Sequence, residues 1–340
     1  MIKILKSVVI LAVFLALNSC KSQPIEFEDF PYTTTYFPSQ FPLRTLVFGD
    51  YKYENDNDCS FDIRAAHGGG YENKKDVTVG FVVDASLVDN LYTGNIKLTT
   101  IPSNWYTLSS ANQIIIPKGT RQGGVTVTLN DAFFNDPNSV GTYWVLPIRM
   151  TSTTADSILS GRSPLQNPDP RLAADWELAP KDFTIFAVRY VNEWHGRYLL
   201  RGVSVNKQTD GTVIETVTYH ARYLELNQVV SVTTSGRYQI RYSAAVRQTP
   251  SPGNFEILVD YNSSDKVTAT LTSSPNSAFP VEGTAKMVKN AESWGDIERD
   301  VIYLDYKVMA GDRIYEAKDT LVFRDKNVQY QEYSSISVSQ

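Results

Sequence analysis

Few residues in this chain are spaced to do chemistry, and each group that could is incomplete. His67-Gly68-Gly69-Gly70 has the form of an oxyanion loop, in which backbone N–H groups meet the tetrahedral oxyanion of acyl transfer. That loop works with a Gly-x-Ser-x-Gly nucleophile elbow on an α/β sheet. No such pentapeptide occurs, so the run is expected to be a hairpin turn between strands. Asn55-Asp56-Asn57-Asp58, with Ser60 and Asp62, offers oxygens at alternate positions, as Ca²⁺ would require. An EF-hand counted from Asp56 would need Gly and Glu where Phe61 and His67 stand, which leaves a solvated acidic turn. The three histidines, His67, His195 and His220, pair with nothing at a metal-ligand spacing, so neither a zinc centre nor any other cofactor is expected. His195, in Glu-Trp-His-Gly-Arg-Tyr at the start of a strand, reads as a structural imidazole. Glycosidases on β scaffolds place two acids about 5 to 9.5 Å apart from remote parts of the chain. Among 37 acids the first pair to test is Glu193 with Glu215.

The five tryptophans offer a different chemistry. A sugar ring presents an apolar C–H face, and an aromatic ring beneath it contributes burial and orientation at small entropic cost. Trp105-Tyr106 and Trp294 sit in turn-rich segments, and Trp194 adjoins a strand start, so these four residues are the expected ligand contacts. Trp144 lies in an apolar run and is expected in the core.

The elements that must position these residues are strands. Aromatics make up 12% of the chain, with 20 Tyr and 15 Phe, and β-branched residues recur throughout. Thr33–Phe37, Arg44–Phe48, Ser60–Ala65, Val77–Val83, Ile96–Thr100, Gln113–Ile116, Val125–Leu129 and Tyr143–Met150 alternate with Gly-, Asn- and Pro-rich punctuation at sandwich spacing. Asp84 caps a single helical turn between them. From 160 to 181 four prolines interrupt the pattern, and a linker is expected at 166–179. Beyond it, runs from Phe183–Val191 to Arg313–Phe323, including Ala221–Leu226, form a meander. Its tight turns fall at 208–211, 235–236 and 310–312. Such a meander closes as a barrel or folds over as a sandwich. The fold class is therefore all-β: a β-sandwich over 32–165, then a second antiparallel domain over 180–340.

The N-terminus reads as an export signal over 1–19, with Lys3 and Lys6 before the apolar run 8–17. Leu17-Asn18-Ser19-Cys20 resembles a bacterial lipobox, which implies acylation of Cys20 and a tether over 20–31. The apolar run is too short to span a bilayer as a helix. Cys59 is then the single remaining thiol, and it cannot form an internal disulfide. Loss of Lys3 and Lys6 leaves 30 basic against 37 acidic residues, and this net negative charge argues against a nucleic-acid partner.

Several strings together carry a family resemblance: Asn-Asp-Asn-Asp-Cys-Ser-Phe-Asp-Ile-Arg (55–64), Gly-Gly-Gly-Tyr-Glu-Asn-Lys-Lys-Asp-Val-Thr-Val (68–79), Val-Asp-Ala-Ser-Leu-Val-Asp-Asn-Leu-Tyr (83–92) and Asn-Glu-Trp-His-Gly-Arg-Tyr-Leu-Leu-Arg-Gly (192–202). Ile-Ile-Pro-Lys-Gly (115–119) and Asp-Ala-Phe-Phe-Asn-Asp (131–136) add to them. The chain resembles Bacteroidetes surface lipoproteins with an Ig-like N-terminal domain of unknown function and a second β domain of unknown function. The resemblance implies an outer-membrane, lipid-anchored protein facing the cell exterior. It also implies a polysaccharide or oligosaccharide ligand and a place beside an outer-membrane glycan transporter complex. The expected function is non-enzymatic glycan binding, with a glycan-cleaving hydrolase or a structural, adhesive surface protein as alternatives.

Overall fold

The computed structural model describes residues 30, 32–50, 53–247, 251, 253–275, 277–333 and 336–338. The expected leader and Cys20 lie outside the described residues. In chain order the first domain contains β1 (Thr34–Tyr36), β2 (Pro42–Val47), β3 (Ser60–Gly68), β4 (Val77–Val83), β5 (Leu91–Thr93), β6 (Ile96–Lys97) and β7 (Thr99–Thr100). It continues with β8 (Tyr106–Leu108), β9 (Gln113–Ile116), β10 (Gln122–Leu129), β11 (Trp144–Thr153), β12 (Ser157–Ile158) and β13 (Phe183–Val191). The second domain contains β14 (Gly196–Gln208), β15 (Val213–Tyr219), β16 (Gln228–Gly236), β17 (Gln239–Ala245), β18 (Asn254–Tyr261) and β19 (Thr268–Ser273). It ends with β20 (Val281–Trp294), β21 (Ile297–Ala310) and β22 (Arg313–Asp325). Two short strands follow, β23 (Gln331–Tyr333) and β24 (Ile336–Val338).

The first domain is a sandwich of two sheets, β12-β1-β3-β10-β8 and β23-β2-β13-β11-β4-β9. Strand β10 shows the expected alternation: Val125, Val127 and Leu129 turn inward toward Phe81, Ile114 and Leu146, and threonines turn out. Strands β11 and β13 are instead apolar on both faces, because a second cluster built on Val145, Phe183 and Ile185 is covered by Leu87, Val88 and Leu91. Each fully buried Val, Leu or Phe contributes about 1.5–3 kcal/mol. Gly123 permits a close backbone approach of the two sheets, since a Cβ there would lie 1.9 Å from the Ile115 carbonyl oxygen.

The second domain is a barrel. Strand β14 pairs with β16 on one edge and with β22 along the other, which closes β14-β16-β17-β18-β19-β20-β21-β22 into an eight-stranded ring. Closure removes the exposed edges that a meander of this length would otherwise present. Strand β15 stays outside the ring and extends the β16 edge of β14 from Gly202 to Lys207. The expected turns at 208–211, 235–236 and 310–312 all join paired neighbours, while Gly295-Asp296 adds a fourth tight turn with both φ angles positive.

Four expectations are corrected. The second domain does not begin at 180: β13 pairs with β11 and β2 of the sandwich, so the junction falls at Asn192, whose amide donates to the carbonyls of Gly236 and Gln239 at 3.0 and 2.8 Å. Nor does it run to 340, because β23 returns to pair with β2 and β24 pairs with β5. Residues 166–179 are no spacer between cores. They form a loop held on the sandwich through the Arg162–Leu178 bridge, the bond from Lys181 N–H to Leu159 O at 2.8 Å, and Phe37 N–H to Lys181 O at 2.8 Å. Ala221–Leu226 is likewise no strand, because the Asn227 side chain accepts from Ala221 N–H and donates to Leu224 O, closing a 3₁₀ turn.

Candidate binding site

The sequence-predicted residues are scattered. His67 lies buried in β3, its backbone N–H bonded to Arg121 O, and Gly69 adopts a positive φ against the Tyr32–Thr33 backbone. The run is strand and turn. Asp56 is fully buried rather than solvated: it takes the Arg44 guanidinium and accepts from Val47 N–H at 3.0 Å. Glu193 is held by Lys266 and Lys289 at the start of the barrel, while Glu215 sits opposite Asn206. Roughly 30 Å of β14 separates the two, far beyond a catalytic pair.

The predicted aromatic contacts are packing residues. Trp194 is 1% exposed inside the barrel, with the Lys289 ammonium 4.7 Å from its ring, so a surface ligand has no access to it. Trp105 and Tyr106 pack on the sandwich core, Trp105 edge-on to Trp144 at 5.0 Å. Trp294 covers an outer barrel cluster of Leu199, Val301 and Val322 beneath Arg299. They occupy separate surfaces and form no common site.

What the structure does assemble is a pocket in the proline-rich loop. A cavity of about 500 Å³ opens between this loop and the Asp84-capped turn, lined by Trp176, Arg149, Asp182, Gln166 and Asn167. Proline restricts the loop backbone, and charged bonds then fix its shape. The Arg171 guanidinium grips Asp169 at 2.6 and 2.8 Å and caps the Leu87 carbonyl at 3.1 Å. It holds the Asp169 carboxyl below the usual carboxylate range. Trp176 is oriented by its indole N–H, which donates to Asp169 O at 2.7 Å.

The polar wall carries reserve capacity. Arg149 bonds Asp84 at 2.7 Å and stands 3.7 Å from Asp182. Burial pushes the Asp182 carboxyl up, with Arg149 pulling it back, and its Oδ1 has no partner among the described residues. The site therefore offers one ring, two guanidinium groups, two carboxyls and two exposed carboxamides, a set suited to hydroxyl-rich ligands. Trp176 was legible only as a Trp within a proline-rich stretch.

No curated protein matches the chain. Residues 193–327 match the profile of a domain of unknown function (DUF5627), and residues 30–157 match that of an N-terminal domain. The first of these begins one residue after the Asn192 junction. Among solved structures, a Bacteroides ovatus protein of unknown function is 34% identical, covering 92% of this chain and 100% of its own, with a TM-score of 0.85. A second B. ovatus protein of unknown function is 13% identical over 88% of this chain and 97% of its own, with a TM-score of 0.45. A candidate carbohydrate binding protein from the same organism is 12% identical over 86% and 83%, with a TM-score of 0.28. The last two likenesses are too distant to bear on fold or ligand. Identity and superposition over nearly the whole chain set the first apart, and the chain belongs to the family of that Bacteroides ovatus protein.

Proposed function

We propose that this is a surface glycan-binding protein, lipid-anchored through Cys20, which holds a saccharide in the proline-rich loop pocket without cleaving it. The observation that carries this reading is the pairing of Trp176 with Arg149, Asp182, Gln166 and Asn167 around one cavity. An indole wall supplies the apolar face of a sugar with burial. The guanidinium and carboxyl bond its hydroxyls from a rigid scaffold. One stacked ring contributes about 0.5–2 kcal/mol, which corresponds to weak, micromolar to millimolar binding. Display of many copies on a membrane would raise the effective affinity. No group of three or more His, Cys, Asp or Glu suited to a metal occurs among the described residues, and the reading does not require one.

The test is retention in affinity gels across a polysaccharide panel, with reducing ends assayed in parallel. Gln166→Ala with Asn167→Ala, both exposed, should abolish retention of the bound glycan and leave the thermal midpoint unchanged. Retention by that double variant would remove the loop pocket as the site, and release of reducing ends would replace binding with hydrolysis.

A further inference from the structure

We propose that the loop pocket selects a positively charged saccharide, an amino sugar with a free ammonium, and turns away uronic acids. The inference rests on the glycan reading of that pocket and adds the charge of its ligand. Asp169 and Asp182 line the cavity together with Arg149 and Arg171. Both guanidinium groups are already engaged, Arg149 by Asp84 at 2.7 Å and Arg171 by Asp169 at 2.6 and 2.8 Å.

Asp182 is the carboxyl that remains. Its Oδ2 stands 3.7 Å from Arg149, beyond hydrogen-bond distance, and its Oδ1 is shut from solvent with no partner among the described residues. The side chain is 16% exposed and lines the cavity. Burial pushes this carboxyl up, and Arg149 opposes the shift. A largely buried carboxylate is costly when the cation beside it already serves another acid. A cation brought by the ligand offsets that cost.

The surroundings carry the same sign. Asp175 accepts from Asp169 N–H at 2.8 Å, and Asp89 accepts from Arg171 through its backbone carbonyl. Around the two arginines there are thus five acids, Asp84, Asp89, Asp169, Asp175 and Asp182. The other cations of the loop are turned elsewhere: Arg162 pairs with Glu177 at 3.0 Å, and the Lys181 ammonium lies 5.7 Å from the centre of the Tyr36 ring. An ammonium entering this field is attracted, and a uronate meets like charge. The Trp176 face adds an attraction for a cation that an anion does not share.

Isothermal titration of the whole protein with glucosamine, glucose and sodium glucuronate tests this, at about pH 6.5, where an amine of ordinary basicity is charged. Glucosamine should bind about tenfold more tightly than glucose, and glucuronate should not bind. The preference for glucosamine should shrink as salt is raised, and Asp182→Asn should bring the two affinities together. Should Asp182→Asn fail to fold, the salt series on the parent protein decides the question. Gln166→Ala with Asn167→Ala should lose both sugars, and glucosamine still bound by that variant lies elsewhere and overturns the proposal. Equal affinities for glucosamine and glucose overturn the charge preference and leave the glycan reading standing. Absence of glucosamine binding also overturns it, and retention in the polysaccharide gels then decides the glycan reading separately.

Discussion

The sandwich keeps its buried ionic groups at the rim, whereas the barrel carries a carboxyl at its centre. In the sandwich, Arg44 and Asp56 pin β2 to the turn that follows it, and the core between the sheets is apolar. In the barrel, Asp319 is 3% exposed and accepts hydroxyl bonds from Tyr219, Tyr306 at 2.9 Å and Tyr242 at 3.5 Å, beside an aromatic cluster of Phe255, Tyr306 and Tyr315. Gly202 makes room for this arrangement, since a Cβ there would meet the Tyr219 ring at 2.8 Å. An apolar sandwich core leaves its loops free to form a pocket. The barrel interior is instead filled by its own side chains, with Trp194, Tyr198, Ile257 and Met287 among them.

The contrast breaks most sharply at the rim of the sandwich. Asp56→Ala strands the Arg44 guanidinium and removes the acceptor for Val47 N–H, and should destabilise the protein by about 3–5 kcal/mol in chemical denaturation. A loss below about 1 kcal/mol would show that the rim pair carries little and that the apolar core alone holds the sandwich.

At the junction and in the barrel, pH should separate two buried groups of opposite sign. Burial, with Lys326 and Arg189 nearby, lowers His195 from 6.5 to about 4. The unfolded chain binds the proton first, so stability from this group is complete above 6.5 and is lost as pH falls toward 4. The effect amounts to at most about 3 kcal/mol. Asp319 behaves oppositely, since burial raises its carboxyl despite bonds from Tyr219 and Tyr306. Its contribution is complete below the unfolded carboxylate value and is lost as pH rises through the folded one. Denaturation midpoints across pH for His195→Gln and Asp319→Asn should each remove one limb of the difference from the parent. If both variants track the parent at every pH, neither group governs the dependence.

Strand identity was legible because alternation and tight-turn glycines are local signals, as in Val125–Leu129 and at 310–312. Barrel closure was not, because it depends on Leu200 meeting Leu321, a pairing that no neighbouring residue announces. The prolines at 160–181 were read as breaks. They do interrupt the ladder, but Arg171 and Lys181 tie the interrupted segment back onto the sandwich, to Leu87 and Phe37. That misreading hid Trp176. Asp182 had no signal at all, since its unpartnered Oδ1 is a property of the folded loop.

The smallest expected effects fall on the tryptophans first taken as ligand contacts. Trp105 is half-buried against the Trp144 ring, and Trp294 lies over Leu199 and Val301 at the tip of the β20–β21 hairpin. Full burial of a large apolar side chain contributes about 1.5–3 kcal/mol, so partial burial at these positions corresponds to about 1 kcal/mol. Trp105→Ala and Trp294→Ala should each destabilise the protein by that amount, read as a lowered denaturation midpoint, and glycan retention should match the parent protein. Trp294→Ala also frees the Arg299 guanidinium, now 4.8 Å from the ring, which adds a few tenths of a kcal/mol at a partly exposed site. Loss of retention with an unchanged midpoint would return the binding role to these residues. The ligand would then lie across the outer faces of both domains, and the contrast between a loop-bearing sandwich and a closed barrel would no longer locate it.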